Sequence, residues 1–156
     1  MFESSRLKLR KMTLEDTELY HKWRNDLEVM HSTNPSLDVY PMETTKRFVE
    51  QVILGSRNAK SYIIVEKEKE QSIGVVSLTN IDYKNRNAEC IIDIGEKDYW
   101  GKGFGSEGLK VLLDSAFHEM NLHRVSLRVF SFNERAIRMY TKLGFRQEGN
   151  GRQSLF

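Results

Sequence analysis

Hydrophobic positions change period several times along this chain of 156 residues. Leu7 and Leu9 alternate with Lys8 and Arg10, with Met12 beyond them, which predicts a short strand with one wet face. Thr13 then caps a helix, with Asp16 three residues on in a capping-box position. Leu19, Tyr20, Trp23 and Leu27 recur at helical spacing, so this helix lies on the core by one face. Asn34-Pro35 and Tyr40-Pro41 punctuate a loop. A second helix is predicted from about Glu43 to Leu54, with Phe48, Val49, Val52 and Ile53 inward and Gly55 as its stop. Three apolar runs follow, Tyr62 to Val65, Ile73 to Leu78 and Ala88 to Ile94, joined by short polar turns. They read as an antiparallel meander. The last run is apolar on both faces near its end, as expected of a strand covered on both sides.

Leu109, Leu112, Leu113, Ala116, Phe117 and Met120 then form the cleanest amphipathic helix in the chain. Val125, Leu127 and Val129 alternate with Arg124, Ser126 and Arg128 in a further strand. Asn133 caps a helix carrying Ala136, Ile137, Tyr140 and Leu143 on one stripe and ended by Gly144. Phe145 opens one more strand before the chain stops at Phe156. Strand–helix–strand from Ala88 to Phe130 implies a right-handed crossover and a parallel pair. The predicted fold is therefore α+β. It is a mixed sheet, antiparallel first and parallel later, with helices on both faces, in a single domain over residues 1–156.

Composition removes several functions from consideration. A net charge of +2 without a basic run gives no electrostatic case for a nucleic-acid partner. The longest apolar runs are a few residues, too short to cross a membrane, and residues 1–6 carry no apolar signal region. A lone Cys90 excludes an internal disulfide and fits a reducing compartment, so a cytoplasmic location is expected. Cys90 itself reads as a small strand hydrophobe, and Trp23 as core. His21, His31, His118 and His123 show no metal-ligand spacing, and no metal is expected.

Between the third apolar run and the long helix lie four glycines in eight positions, Gly101, Gly103, Gly105 and Gly108. Alternate glycines let the backbone curl so that successive N–H groups converge, and a helix opening there adds its unpaired N–H groups and dipole. Such a place suits a phosphate. Gly103 to Gly108 matches G-x-G-x-x-G, yet the strand Arg124 to Phe130 ends without the acidic residue that would hold a dinucleotide's ribose. Three antiparallel strands also precede the loop, where a dinucleotide fold would start with it. The nucleoside-triphosphate pattern G-x-x-x-x-G-K-[ST] is absent.

Trp100-Gly101-Lys102-Gly103-Phe104-Gly105-Ser106 resembles the acyl-CoA pyrophosphate loop of the GNAT N-acetyltransferases. Asn133, Ala136, Tyr140 and Gly144-Phe145 resemble that family's second signature, N-x-x-A-x-x-x-Y-x-x-x-G-F, about 30 residues on. Trp23-Arg24-Asn25-Asp26 is similar to the RimJ/RimL branch, and Asn121 to Val125 with Ala88-Glu89 to that branch and its spermidine-acetylating relatives. The likeness runs from Arg6 to about Gly149. Trp100 stands where the family often has Gln or Arg. The family usually has another strand after the position of Phe156. The acceptor side is then either short of that strand or completed by a partner chain, which leaves a homodimer open.

The resemblance implies acetyl-CoA as co-substrate, a small-molecule or peptide amine as acceptor, and direct attack in a ternary complex. It places the pyrophosphate on the N–H groups of Lys102 to Ser106 and pantetheine beside Ile92, Asp93 and Ile94. A backbone N–H near Ile92 or Asp93 would polarise the thioester carbonyl, a contribution of ~10²–10³ in rate. It makes Tyr140 the acid that protonates the departing thiolate; its other reading is packing on the stripe with Ala136 and Ile137. Glu89 and Asp93 share one strand face, which makes Glu89 a candidate base or acceptor anchor, or else a strand-edge ion pair. Glu28 is a further candidate at the acceptor entrance. An acyl-CoA-binding module without acceptor chemistry is the alternative.

Overall fold

The computed structural model describes residues 2–31, 37–129, 133–148 and 152–156. Among these residues eight strands form one sheet in the order β1-β2-β3-β4-β5-β6-β8-β7. β1 (Phe2–Glu3), β2 (Leu7–Lys11), β3 (Lys60–Glu66), β4 (Gln71–Asp82) and β5 (Asn87–Ile94) pair antiparallel in chain order. β6 (Arg124–Arg128) lies parallel to β5, joined through α4 (Phe104–His118). The predicted meander and crossover both form.

Period-two alternation in β3 divides the core. Tyr62 and Ile64 join Leu7, Leu9 and the apolar stripe of α4 on one face. Tyr140, from α5 (Glu134–Lys142), belongs to the same cluster. Ile63 and Val65 point the other way, to Met12, Val49 and Trp23. Trp23 comes from α1 (Thr17–Arg24). Helices thus cover both faces, as the α+β reading expected.

Three local readings change. The first helix is not continuous: a 3₁₀ turn over Leu14–Asp16 precedes α1, and α2 (Leu27–Met30) starts anew. The Asp26 carboxylate accepts from the N–H groups of Glu28 and Val29, so it restarts the chain as an N-cap and leaves Leu27 exposed rather than in the core. The second helix is α3 (Met42–Phe48) followed by a π turn over Val49–Ile53. That turn shifts the helical phase, so Val49 is fully buried while Val52, expected inward, is exposed. At the far end β7 (Arg146–Gln147) follows Phe145, and β8 (Arg152–Leu155), not expected from the sequence, inserts between β6 and β7. Asn34-Pro35 and Phe130 lie outside the described residues.

One feature of the sheet creates the site. β5 and β6 pair only from Asn87–Arg124 to Glu89–Ser126, although β5 runs on to Ile94. Cys90 to Ile94 keep β4 on one side and, among the described residues, have no strand on the other.

Candidate active site

At the end of β5 the backbone meets Trp23. A Cβ on Gly95 would fall 2.2 Å from the indole, so only glycine allows this approach. The same indole donates its N–H to Glu96 Oε2 at 2.5 Å, clamping α1 to the strand end. Trp100 donates its ring N–H to the Ile94 carbonyl at 2.8 Å, which folds the loop back on β5.

Gly101 and Gly103 then take left-handed conformations, with φ of 74° and 83°, which L side chains rarely adopt. The first α4 bond joins the Glu107 N–H to the Gly103 carbonyl at 3.0 Å. The N–H groups of Phe104, Gly105 and Ser106 consequently have no partner within the helix and stand at its positive end.

The loop is braced from behind by a residue nearly a hundred positions away. Arg6 donates to the Lys102 carbonyl at 3.0 Å, pairs with Glu107 at 2.8 Å, and lies over the Phe104 ring at 4.1 Å. Ser4 also donates its hydroxyl to Glu107. Burial disfavours the Glu107 carboxylate, but the bonds from Ser4 and Arg6 outweigh it and hold its pKa below the usual glutamate value.

The loop, the unpaired end of β5 and α5 enclose an open cleft of about 540 Å³. It is lined by Ile92, Asp93 and Ile94 from β5, by Trp100, Gly101, Gly103, Phe104, Gly105 and Ser106 from the loop and the start of α4, and by Asn133, Ala136 and Tyr140 at α5. Of the residues expected around the donor, Lys102 alone is not in this cleft; it lines a pocket on the far side of the loop, with Lys67 and Tyr99. The Asn133 side chain accepts from the Ala136 N–H at 3.1 Å, capping α5.

Tyr140 is buried and packs against Phe145 with ring centroids 5.9 Å apart. Burial first, then Cys90 and Asp93, push its pKa up, which favours the protonated phenol. It also lines a second pocket of about 170 Å³ with Thr79, Glu89 and Ile91. The phenol therefore stands where two cavities meet. Glu89 is held by Asn80 at 2.6 Å and Arg152 at 2.9 Å, with Arg128 at 3.8 Å. Glu28 pairs with Lys97 at 2.9 Å, beside the Lys97–Asp26 pair. Cys90 is buried, and burial followed by Glu89 raises its thiol pKa to about 12, which removes it as a nucleophile.

Sequence reasoning missed Arg6, Glu107 and Arg152, because no local pattern announces a contact across more than sixty residues. It also missed Arg135, Arg138 and Lys142, which line the cleft. Their spacing of three and four on one helix was a visible signal.

The family model of the Acetyltransferase (GNAT) domain matches residues 6–146. An uncharacterized N-acetyltransferase, p20, of Bacillus licheniformis is 34% identical over 148 residues, covering 94% of this chain and 82% of that one. The spermidine N(1)-acetyltransferase of Vibrio cholerae is 32% identical over 134 residues, 81% of this chain and 77% of that one. The crystal structure of spermidine N-acetyltransferase from Vibrio cholerae in complex with CoA and spermine superposes with a TM-score of 0.86 at 25% identity, covering 97% and 96% of the two chains. With the glycine loop, the opened β5–β6 pair and the match over nearly its whole length, this chain belongs to the GNAT family of N-acetyltransferases.

Proposed function

We propose that the chain transfers an acetyl group from acetyl-CoA to a primary amine of a polyamine-like cation, by direct attack in a ternary complex. The observation that carries this is that Tyr140 lines two cavities: one is also lined by the first residues of α4, the other by Glu89. The diphosphate sits on the N–H groups of the loop and the first turn of α4. Pantetheine lies along Cys90 to Ile94, where its amides take the place of a missing strand. The amine nitrogen attacks the thioester carbonyl carbon, the C–S bond breaks, and Tyr140 gives its proton to the sulfur. The proton lost by nitrogen restores the phenol. At ordinary values the phenol-to-thiolate transfer costs about 2 kcal/mol; the burial that raises the Tyr140 pKa makes a departing thiolate more basic as well.

The acceptor amine must be neutral to attack. For an alkylamine of pKa near 10.4 that costs about 4.6 kcal/mol at pH 7, against about 1 kcal/mol for a peptide α-amine. Carboxylates near the attack point therefore matter more for a polyamine. Glu89 supports that reading as an anchor for an ammonium group, since its oxygens already hold cations in the form of Arg152 and Arg128. Asp93 shares a strand face with Glu89 by two-residue alternation and lines the cleft that Tyr140 also lines, which supports it as a second carboxylate near the attack point. Two curated relatives, from Vibrio cholerae and Escherichia coli K12, are named as spermidine N(1)-acetyltransferases. A cytoplasmic setting accords with the single unpaired cysteine.

The test is release of free thiol from acetyl-CoA with spermidine, spermine and a set of N-terminal peptides. Turnover with the polyamines and not the peptides is expected; peptide turnover alone removes the polyamine reading, and no turnover with any amine favours the binding-module alternative.

A further inference from the structure

Glycine permits the left-handed turn at position 103, but it does not decide where the backbone groups of that turn point. Arg6 does. Its Nη1 donates to the Lys102 carbonyl at 3.0 Å, its Nε pairs with Glu107 Oε1 at 2.8 Å, and its backbone N–H bonds Glu107 Oε2 at 3.1 Å. The Ser4 hydroxyl donates to that second oxygen as well. The guanidinium lies 4.1 Å from the centre of the Phe104 ring, and that ring meets Tyr99 edge-on at 5.2 Å. Arg6 lines the pocket behind the loop, Gly103 lines the cleft in front, and Phe104 lines both. The peptide joining Lys102 to Gly103 is planar and trans, so its carbonyl and its N–H point in opposite directions. A carbonyl drawn back onto Arg6 therefore turns the Gly103 N–H forward. Among the described residues that N–H has no backbone acceptor.

We infer that Arg6 is a positioning residue for the acyl donor: from behind the loop it aims the Gly103 N–H at the diphosphate, without touching the ligand, and it cancels the charge of Glu107. The inference rests on the acetyl-CoA reading above. Glu107 stands in the first turn of α4, where a bare carboxylate would repel a diphosphate held by the same turn. Paired with Arg6 it instead fixes the fork of the guanidinium, one edge to the carboxylate and one nitrogen to the Lys102 carbonyl. The Gly103 N–H then joins those of Phe104, Gly105 and Ser106 at the positive end of the helix. Donors set in place before the ligand arrives need no ordering at the moment of binding. An ammonium has no fork, so lysine at this position keeps the charge and gives up the aim.

Isothermal titration of the full chain with coenzyme A tests this without an acceptor, beside pantetheine, which carries the same arm and no diphosphate. Arg6→Gln is expected to weaken coenzyme A about tenfold or more, the loss of a hydrogen bond to a charged group. Pantetheine binding should stay within about twofold of wild type, because the strand end it uses is untouched. Arg6→Lys guards against a folding defect in the first variant and should weaken coenzyme A about threefold, between the two. The amide resonance of Gly103 should move on adding coenzyme A to wild type and move less in either variant. Wild-type affinity for coenzyme A in both variants, folded by circular dichroism, overturns the positioning role. Equal weakening of coenzyme A and pantetheine also overturns it, since Arg6 would then be supporting the fold and not the loop. Failure of wild type to bind coenzyme A overturns the acetyl-CoA reading itself, so the two failures are distinguishable.

Discussion

Two residues, Tyr140 in the cleft and Gly95 at the end of β5, have roles that separate cleanly by experiment. If Tyr140 protonates the leaving thiolate, Tyr140→Phe keeps the packing against Phe145 and removes only the hydroxyl. Turnover should fall by about 10²-fold, the lower end of general-acid contributions, with acetyl-CoA affinity nearly unchanged. Steady-state rates beside a titration of coenzyme A would show it, and unaltered turnover removes the phenol from the mechanism. Gly95 acts only through space. Gly95→Ala puts a methyl group into the Trp23 ring, and an overpacked core site costs about 1–3 kcal/mol. A fall in melting temperature of several degrees is expected, and Trp23 fluorescence should report the displaced indole.

At the scale of elements, the ends of the chain's short helices carry much of the specification. Asp16 closes the 3₁₀ turn as a capping box and accepts from both terminal nitrogens of Arg10, at 3.0 and 2.6 Å. Burial opposes its charge, yet the bonds from Arg10 and Thr13 win and lower its pKa. Glu96, bonded by Trp23 and Lys22, and Glu107 are lowered in the same way. A carboxyl group lowered by folding binds its proton more readily when unfolded, so its stabilisation is present above the unfolded value. It is lost as pH falls through the folded value. Denaturant midpoints should thus be flat near neutrality and decline below about pH 4.5, the ordinary range for these groups. Asp16→Asn should lower the neutral-pH stability by about 1–3 kcal/mol and make the acid decline shallower. A variant with the wild-type acid profile would show that this pair does not carry it.

The whole molecule is a sheet forced open along one seam. β5 pairs with β6 only as far as Glu89, and the cleft lies where they part. Binding along that seam completes the sheet, so a ligand that fits should stabilise the entire domain rather than one loop. At a hundredfold excess over Kd, coenzyme A should add about 2.7 kcal/mol, which for a chain of this size raises the melting temperature by roughly 5–10 °C. NAD and ATP should leave it unmoved. A larger shift with NAD would reverse the assignment of the glycine loop.

Much of this was legible in the residues. Periodicity of two or near four depends on side-chain direction alone, so the meander, α4 and α5 could be read without coordinates. The glycine loop was legible because left-handed backbone restricts residue type. The sequence did not determine where β5 and β6 part, that a π turn would move Val52 outward, or that the patternless Arg-Gln-Ser-Leu segment would enter the sheet as β8. Nor did it announce Arg6 behind the loop, Arg152 on Glu89, or Arg135 across from Gly101. Local pattern governs which face of an element is buried. Which elements meet, and where a pair must separate, depends on packing between residues far apart in the chain, and only the tertiary structure decides that.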